Sequence, residues 1–182
     1  MGTISVVRTI AEMHQISDDL RMRKLRIGLV PSMGYLHEGH LSLIRRARRI
    51  TDQVVVSLFI NPIQFGPTED LAAYPRDLEK DLSLIRKNGG DLVFAPDIEQ
   101  MYPDGYATYV EVERLTDQLC GQSRTGHFRG VSTVVAKLFG AVKPHIAIFG
   151  QKDAQQTIVI QRMIQDLNMD VEVLVSPTIR ES

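Results

Sequence analysis

The chain has 182 residues, of which 43% are hydrophobic and 24% charged, with a formal net charge of −1 and a single cysteine, Cys120. That length and composition suit one well-buried globular core, the near-neutral balance gives no general attraction to nucleic acid or an anionic membrane, and a lone cysteine excludes an internal disulfide framework or zinc ribbon. With no secretory apolar segment and no apolar run long enough to span a bilayer, the expected setting is the cytoplasm, with no membrane or nucleic-acid partner.

In chain order, an amphipathic stretch at about 7–22 predicts an opening helix. Leu25-Arg26-Ile27-Gly28-Leu29-Val30 is short, apolar and closed by Pro31, which predicts a strand over 25–31. Next comes Pro31-Ser32-Met33-Gly34-Tyr35-Leu36-His37-Glu38-Gly39-His40, after which Leu41, Leu43, Ile44 and Ala47 recur at helical spacing and predict a helix over 39–50. His37 and His40 therefore sit where a helix begins. Unpaired backbone N–H groups and the positive end of the helix dipole favour an anion there, and an i, i+3 pair sends both imidazoles to one side. Gly39 lets a ligand approach the backbone closely. The pattern reads as a phosphate site for a nucleotide. Two solvated or locally bonded histidines are the bland alternative. Metal ligation of the His-Glu-x-x-His kind needs a spacing of four, and here it is three. The arginines at 45, 46, 48 and 49 read as the wet face of an amphipathic helix.

A second strand is predicted over 54–60, followed by Asn61-Pro62-Ile63-Gln64-Phe65-Gly66. Asn61 and Gln64 are amides able to grip hydroxyls and carboxylates without adding charge, or simply to cap the turn. A helix over 75–88 begins near Tyr74-Pro75-Arg76-Asp77, with Pro75 close to its first position. Asp77 and Asp81 fit either a water-mediated hold on Mg²⁺ or the ordinary acidic bias of a first turn. Asn88-Gly89-Gly90 stops that helix before a strand at 91–95. Residues 96–105 are rich in turn formers, and 106–113 suit an edge strand. Gly126-His127-Phe128-Arg129-Gly130-Val131 suits a mobile loop leading into a helix over 130–142, His127 being equally at home as a structural histidine. A strand at 146–150 leads to Gly150-Gln151-Lys152-Asp153, a helix over 153–167 and a last strand at 171–176. Lys152 brings a positive charge to the same edge as the histidines, or forms a surface pair with Asp153.

Strands alternating with amphipathic helices predict an α/β fold, a Rossmann-like doubly wound parallel sheet with helices on both faces, as a single nucleotide-binding domain over 1–182. Ligands of such sheets bind beyond the carboxyl ends of the strands, where the motifs above fall.

Taken together, 31–40, 61–66, Tyr74-Pro75-Arg76, Gly126 to Val131 and Gly150-Gln151-Lys152-Asp153 resemble the pantothenate synthetase (pantoate–β-alanine ligase) family, in order from about residue 3 to residue 182. The family lies within the His-x-Gly-His nucleotidyltransferases, related in fold to class I aminoacyl-tRNA synthetases. The resemblance implies that ATP and pantoate give pantoyl adenylate and pyrophosphate, and that β-alanine then displaces AMP to form pantothenate. It implies His37 and His40 on the ATP phosphates and Lys152 on the α-phosphoryl group as catalytic residues. Met33, Gly39, Gly150 and Asp153 would complete the ATP site. Gln64, Gln156 and Asn61 would hold pantoate, with Met33, Val134 and Val135 around its methyl groups. Asp81 matches an acidic position associated with Mg²⁺, although Lys80 is basic where some members carry a second acid. A homodimer is also implied.

In the family, Pro177-Thr178-Ile179-Arg180-Glu181 runs on into a phosphate-binding loop and a small lid domain. This chain stops at Ser182. The resemblance therefore leads to the expectation of an N-terminal domain with the C-terminal lid absent, which holds pantoate, binds ATP weakly and turns over poorly. Two other readings stand beside it: another His-x-Gly-His transferase, which would need further basic residues for a phosphorylated acceptor, and a non-catalytic nucleotide-binding or dimerisation module.

Overall fold

The computed structural model describes residues 4–65, 74–113 and 126–177. Gly66, Cys120 and 178–182 lie outside them. The chain runs β1 (Ser5–Val7), α1 (Ile10–Met22), β2 (Ile27–Ser32), α2 (Glu38–Ile50), β3 (Gln53–Leu58), a 3₁₀ turn (Pro62–Gln64), α3 (Leu78–Lys87), β4 (Leu92–Phe94), α4 (Ile98–Met101), α5 (His127–Val142), β5 (Ile146–Gly150), a second 3₁₀ turn (Gln151–Asp153), α6 (Ala154–Asp166) and β6 (Glu172–Ser176). The strands form one parallel sheet in the order β1-β4-β3-β2-β5-β6. Strand order reverses between β2 and β5, which opens a crevice at their carboxyl ends.

The apolar runs are nearly continuous because both faces of the sheet are covered. Leu29, Val55, Ala147 and Phe149 point to one side, where they meet Met13 and Leu20 of α1, Val135 and Leu138 of α5, and Val159 and Ile160 of α6. Val30, Val54, Val56 and Ile148 point to the other, against Leu41, Ile44 and Ala47 of α2 and Ile85 of α3. Among the described residues no helix is long and apolar enough to cross a membrane.

Several local expectations are corrected. The first residues of the 7–22 stretch do not start a helix. Ser5–Val7 pair in register with Leu92, Val93 and Phe94, and Thr9 caps α1 by accepting the N–H of Glu12 at 3.2 Å. Pro75 lies outside α3, which is capped by Asp77 accepting from Lys80 N–H at 3.1 Å. Residues 98–101 form α4 within the turn-rich stretch. Residues 106–113 form no strand, and Val110 instead donates its N–H to the Thr133 hydroxyl at 3.0 Å. Helix α5 starts at His127, three residues before 130. Three of the four arginines of α2 are more than a wet face. Arg45 bonds Asn88 and Glu38, Arg46 donates to the Val175 carbonyl and the Ser176 hydroxyl, and Arg48 pairs with Asp91 and two carbonyls that follow the helix.

Candidate functional site

The histidine motif folds as a helix cap. His37 takes the N-cap position, and its Nδ1 accepts the N–H of Gly39 at 3.1 Å, while Nδ1 of His40 accepts the N–H of His37 at 3.4 Å. This is a capping box with imidazoles in place of the usual hydroxyl and carboxylate. A backbone N–H only donates, so each neutral ring carries its proton on Nε2 and has that N–H left to offer a ligand. The two rings lie 4.2 Å apart, centre to centre. His40 titrates well below the ordinary 6.5, at about 4, because burial disfavours its charged form and the charges of His37 and Lys152 oppose it further. It is a neutral donor at physiological pH.

Ahead of the cap, the backbone turns sharply through Gly34, whose φ of +92° suits glycine, and Tyr35, whose φ is +52°. Asp81, buried at the start of α3, holds this turn: its two oxygens accept the N–H groups of Tyr35 and Leu36, each at 2.8 Å. Each Asp81 oxygen thus serves the loop and keeps a further lone pair. Among the described residues no cluster of three or more His, Cys, Asp or Glu forms a metal-holding group.

A cavity of about 160 Å³ opens at the carboxyl ends of β2 and β5. It gathers Met33, His40, Gln64, Val134, Val135, Asp153 and Gln156 from four separate stretches of sequence. Lys152 is exposed beside it in the 3₁₀ turn after β5, near enough for its charge to act on His40. Gly150 ends β5 at the same edge, and His37 and Gly39 flank His40 at the head of α2. Asn61 is not in the wall. It is 1% exposed behind Gln64, donating from Nδ2 to Gln64 Oε1 at 3.1 Å and to the Gly130 carbonyl at 3.0 Å. Helix α5 can press this close only because residue 130 is glycine: a Cβ there would lie 2.6 Å from the Ile63 carbonyl oxygen and 2.7 Å from the Gln64 Cα. His127 bonds the Gln64 carbonyl through Nδ1 at 2.9 Å, the structural role open to it from the sequence.

Sequence reading did not single out the rest of the wall, which includes Phe59, Val131, Leu138 and Phe149, because a cavity-facing apolar side chain has the same periodicity as a core one. It also missed Tyr102, whose hydroxyl donates to Asn61 Oδ1 at 2.7 Å. A second cleft, of about 420 Å³, lies on the far side of the Met33–Gly34–Tyr35 turn, bordered by Arg8, Arg76 and Asp81.

A sequence model of the family described as Pantoate-beta-alanine ligase matches residues 5–182. The chain is 58% identical over 178 residues to a pantothenate synthetase of Thermotoga petrophila, covering 98% of this chain and 64% of that protein. It is 59% identical over 177 residues to one of Pelotomaculum thermopropionicum, covering 97% and 63%. Its fold superposes on the crystal structure of a pantothenate synthetase from Thermus thermophilus with a TM-score of 0.91 at 51% identity, covering 98% and 63%. It superposes on a pantoate–β-alanine ligase from Francisella tularensis, crystallised with beta-gamma ATP and β-alanine, with a TM-score of 0.93 at 37% identity, covering 98% and 68%. The chain thus spans less than two thirds of the length of the curated relatives it matches.

Proposed function

Because the chain belongs to the pantoate–β-alanine ligase family, we propose that it binds ATP and pantoate and joins them as pantoyl adenylate with release of pyrophosphate, the amine of β-alanine then displacing AMP to give pantothenate. The observation that carries this reading is the cavity at the strand-order reversal, in which a phosphate-suited helix start, two carboxamides and an apolar wall share one space.

The chemistry asks for such a set. Attack of a carboxylate on a phosphoryl group brings two anions together, so rate enhancement comes from alignment and from positive potential at the α-phosphate. In this reading the Nε2–H groups of His37 and His40 bind phosphate oxygens, His40 as a neutral donor, beside the dipole of α2. Lys152 follows the charge that grows on the α-phosphoryl group, as a mobile cation on an exposed turn can. Gly39, Gly150 and Asp153 flank the nucleotide. Gln64 and Gln156 hold pantoate's oxygens, Asn61 supports Gln64, and Met33, Val134 and Val135 enclose the geminal methyl groups. Magnesium would arrive on the ATP phosphates with its own waters and neutralise the departing pyrophosphate. Asp81 is the acidic position that the family pattern associates with that ion. A homodimer and a cytoplasmic location belong to the same reading.

Thermal shift with pantoate tests it. Pantoate is expected to stabilise the chain and its His40→Ala variant, and to stabilise Gln64→Ala measurably but clearly less. No stabilisation of the folded parent, or an undiminished response in Gln64→Ala, overturns the assignment. Tested by itself, the 182-residue chain is expected to hold pantoate, take ATP weakly and release pyrophosphate slowly beside a full-length relative.

A further inference from the structure

A carboxamide offers an acceptor on one side and a donor on the other, and a ligand meets whichever its neighbours leave free. Behind Gln64 that choice is made by a short chain of groups. The Gly130 carbonyl can only accept, so Asn61, with Nδ2 at 3.0 Å from it, must turn its amino group that way and its oxygen elsewhere. The other N–H of the same amino group reaches Gln64 Oε1 at 3.1 Å. This leaves the Gln64 amino group on the opposite side, 3.0 Å from Met33 Sδ in the cavity wall. The oxygen of Asn61, buried away from water, is satisfied by the Tyr102 hydroxyl at 2.7 Å, 41 residues along the chain.

We propose that Tyr102 is a positioning residue for the carboxylic-acid substrate: its hydroxyl pins the Asn61 carboxamide, which fixes Gln64 with its amino group toward the cavity, so the site presents a donor there and selects a ligand with an oxygen acceptor at that point. The proposal rests on reading the cavity as the pantoate site. Tyr102 suits the task. Its ring is seated independently of the hydroxyl, against Phe59 at 6.1 Å and edge-on to Tyr106 at 5.0 Å. Burial, with Tyr106 next in effect, pushes its ionisation well above the ordinary phenol range, so the hydroxyl keeps its proton and donates. Without that donor, the Asn61 oxygen is a buried acceptor lacking its partner, and the Asn61–Gln64 pair relaxes to other arrangements.

The test is a double-mutant cycle read by calorimetric titration of the chain with pantoate. Tyr102→Phe is expected to weaken pantoate binding by about three- to tenfold and to leave ATP binding as it was. In a Gln64→Ala background the same substitution is expected to cost nothing further, because the relay then has no endpoint. An equal loss in both backgrounds, as a merely structural tyrosine would give, or unchanged pantoate affinity in Tyr102→Phe, overturns the proposal. A separate readout needs no ligand. In ¹³C-methyl-labelled protein the Met33 resonance, assigned by its absence from Met33→Leu, is expected to move in Tyr102→Phe and to be insensitive to that substitution when Gln64 is already alanine. A fixed Met33 resonance overturns the relay. Failure of the parent to bind pantoate overturns the substrate reading instead, and the methyl signal then decides the relay alone.

Discussion

Asp81 grips the turn between β2 and α2 with both carboxylate oxygens, and the backbone it holds carries two consecutive residues of positive φ, Gly34 and Tyr35. Such a turn persists only where its surroundings over-determine it. Asp81→Asn swaps one acceptor for an amino group that faces a backbone N–H, so one charge-assisted bond is lost and the other weakened. A destabilisation of about 2 kcal/mol is expected, measured by urea unfolding. A variant as stable as the parent would show that the turn holds without the carboxylate. The residue also marks a boundary of sequence reading. An acidic side chain in the first turn of a helix was legible, but its partners are 45 and 46 residues away, and only tertiary structure brings them together.

At the scale of elements, the site depends on how closely α5 packs on the 3₁₀ turn Pro62–Gln64. Gly130→Ala places a methyl group against backbone atoms of Ile63 and Gln64 that have no room to yield. It is expected to destabilise the chain by about 1–3 kcal/mol and to weaken pantoate binding more than ATP binding, by chemical denaturation and calorimetry. The long elements were readable because each repeats its signal. Helices α2 and α6 bury a periodic stripe, α5 is buried on most of its circumference, and the central strands are nearly continuous apolar runs. The short ones were not. Strand β1 has three residues and exists through its pairing with β4, and α4 is a single turn inside a stretch rich in turn formers. Missing α4 also meant missing Tyr102, whose hydrogen bond to Asn61 leaves no spacing pattern to read. By contrast, His40, Gln64 and Asp153 were legible in the loops and helix starts that follow recognisable strands, whereas Gln156 came from the family resemblance, as did Met33, Val134 and Val135, because an apolar side chain on a cavity has the same periodicity as one in the core.

For the whole molecule, two histidines link stability to pH. His40 titrates at about 4 in the fold against 6.5 ordinarily. His145, which accepts the Ile27 N–H at 3.0 Å at the other end of the sheet, is also lowered, by burial first and then by Arg21 and Arg26. Between these limits the unfolded chain binds protons that the folded chain refuses, so on this account stability is full above about pH 6.5, declines as pH falls toward about 4, and changes no further below that. For His40 the span is up to about 3 kcal/mol. His40→Gln keeps a side chain suited to this capping position. It is expected to flatten the fall in denaturation midpoint between about pH 7 and about pH 4.5, and an unchanged slope would refute the linkage.

The place of β2 in the sheet has a consequence for biosynthesis. It lies at the centre, yet of its two neighbours β3 is translated at once and β5 only after more than half the chain has emerged. Until then one margin of an apolar strand stays open, the kind of exposed edge that invites intermolecular pairing. The crevice inherits this timetable. Its histidine rim is laid down early and its α5 and α6 wall late, so a nascent chain acquires a competent ligand pocket only when β5 docks, and a chaperone's protection would matter most in that interval.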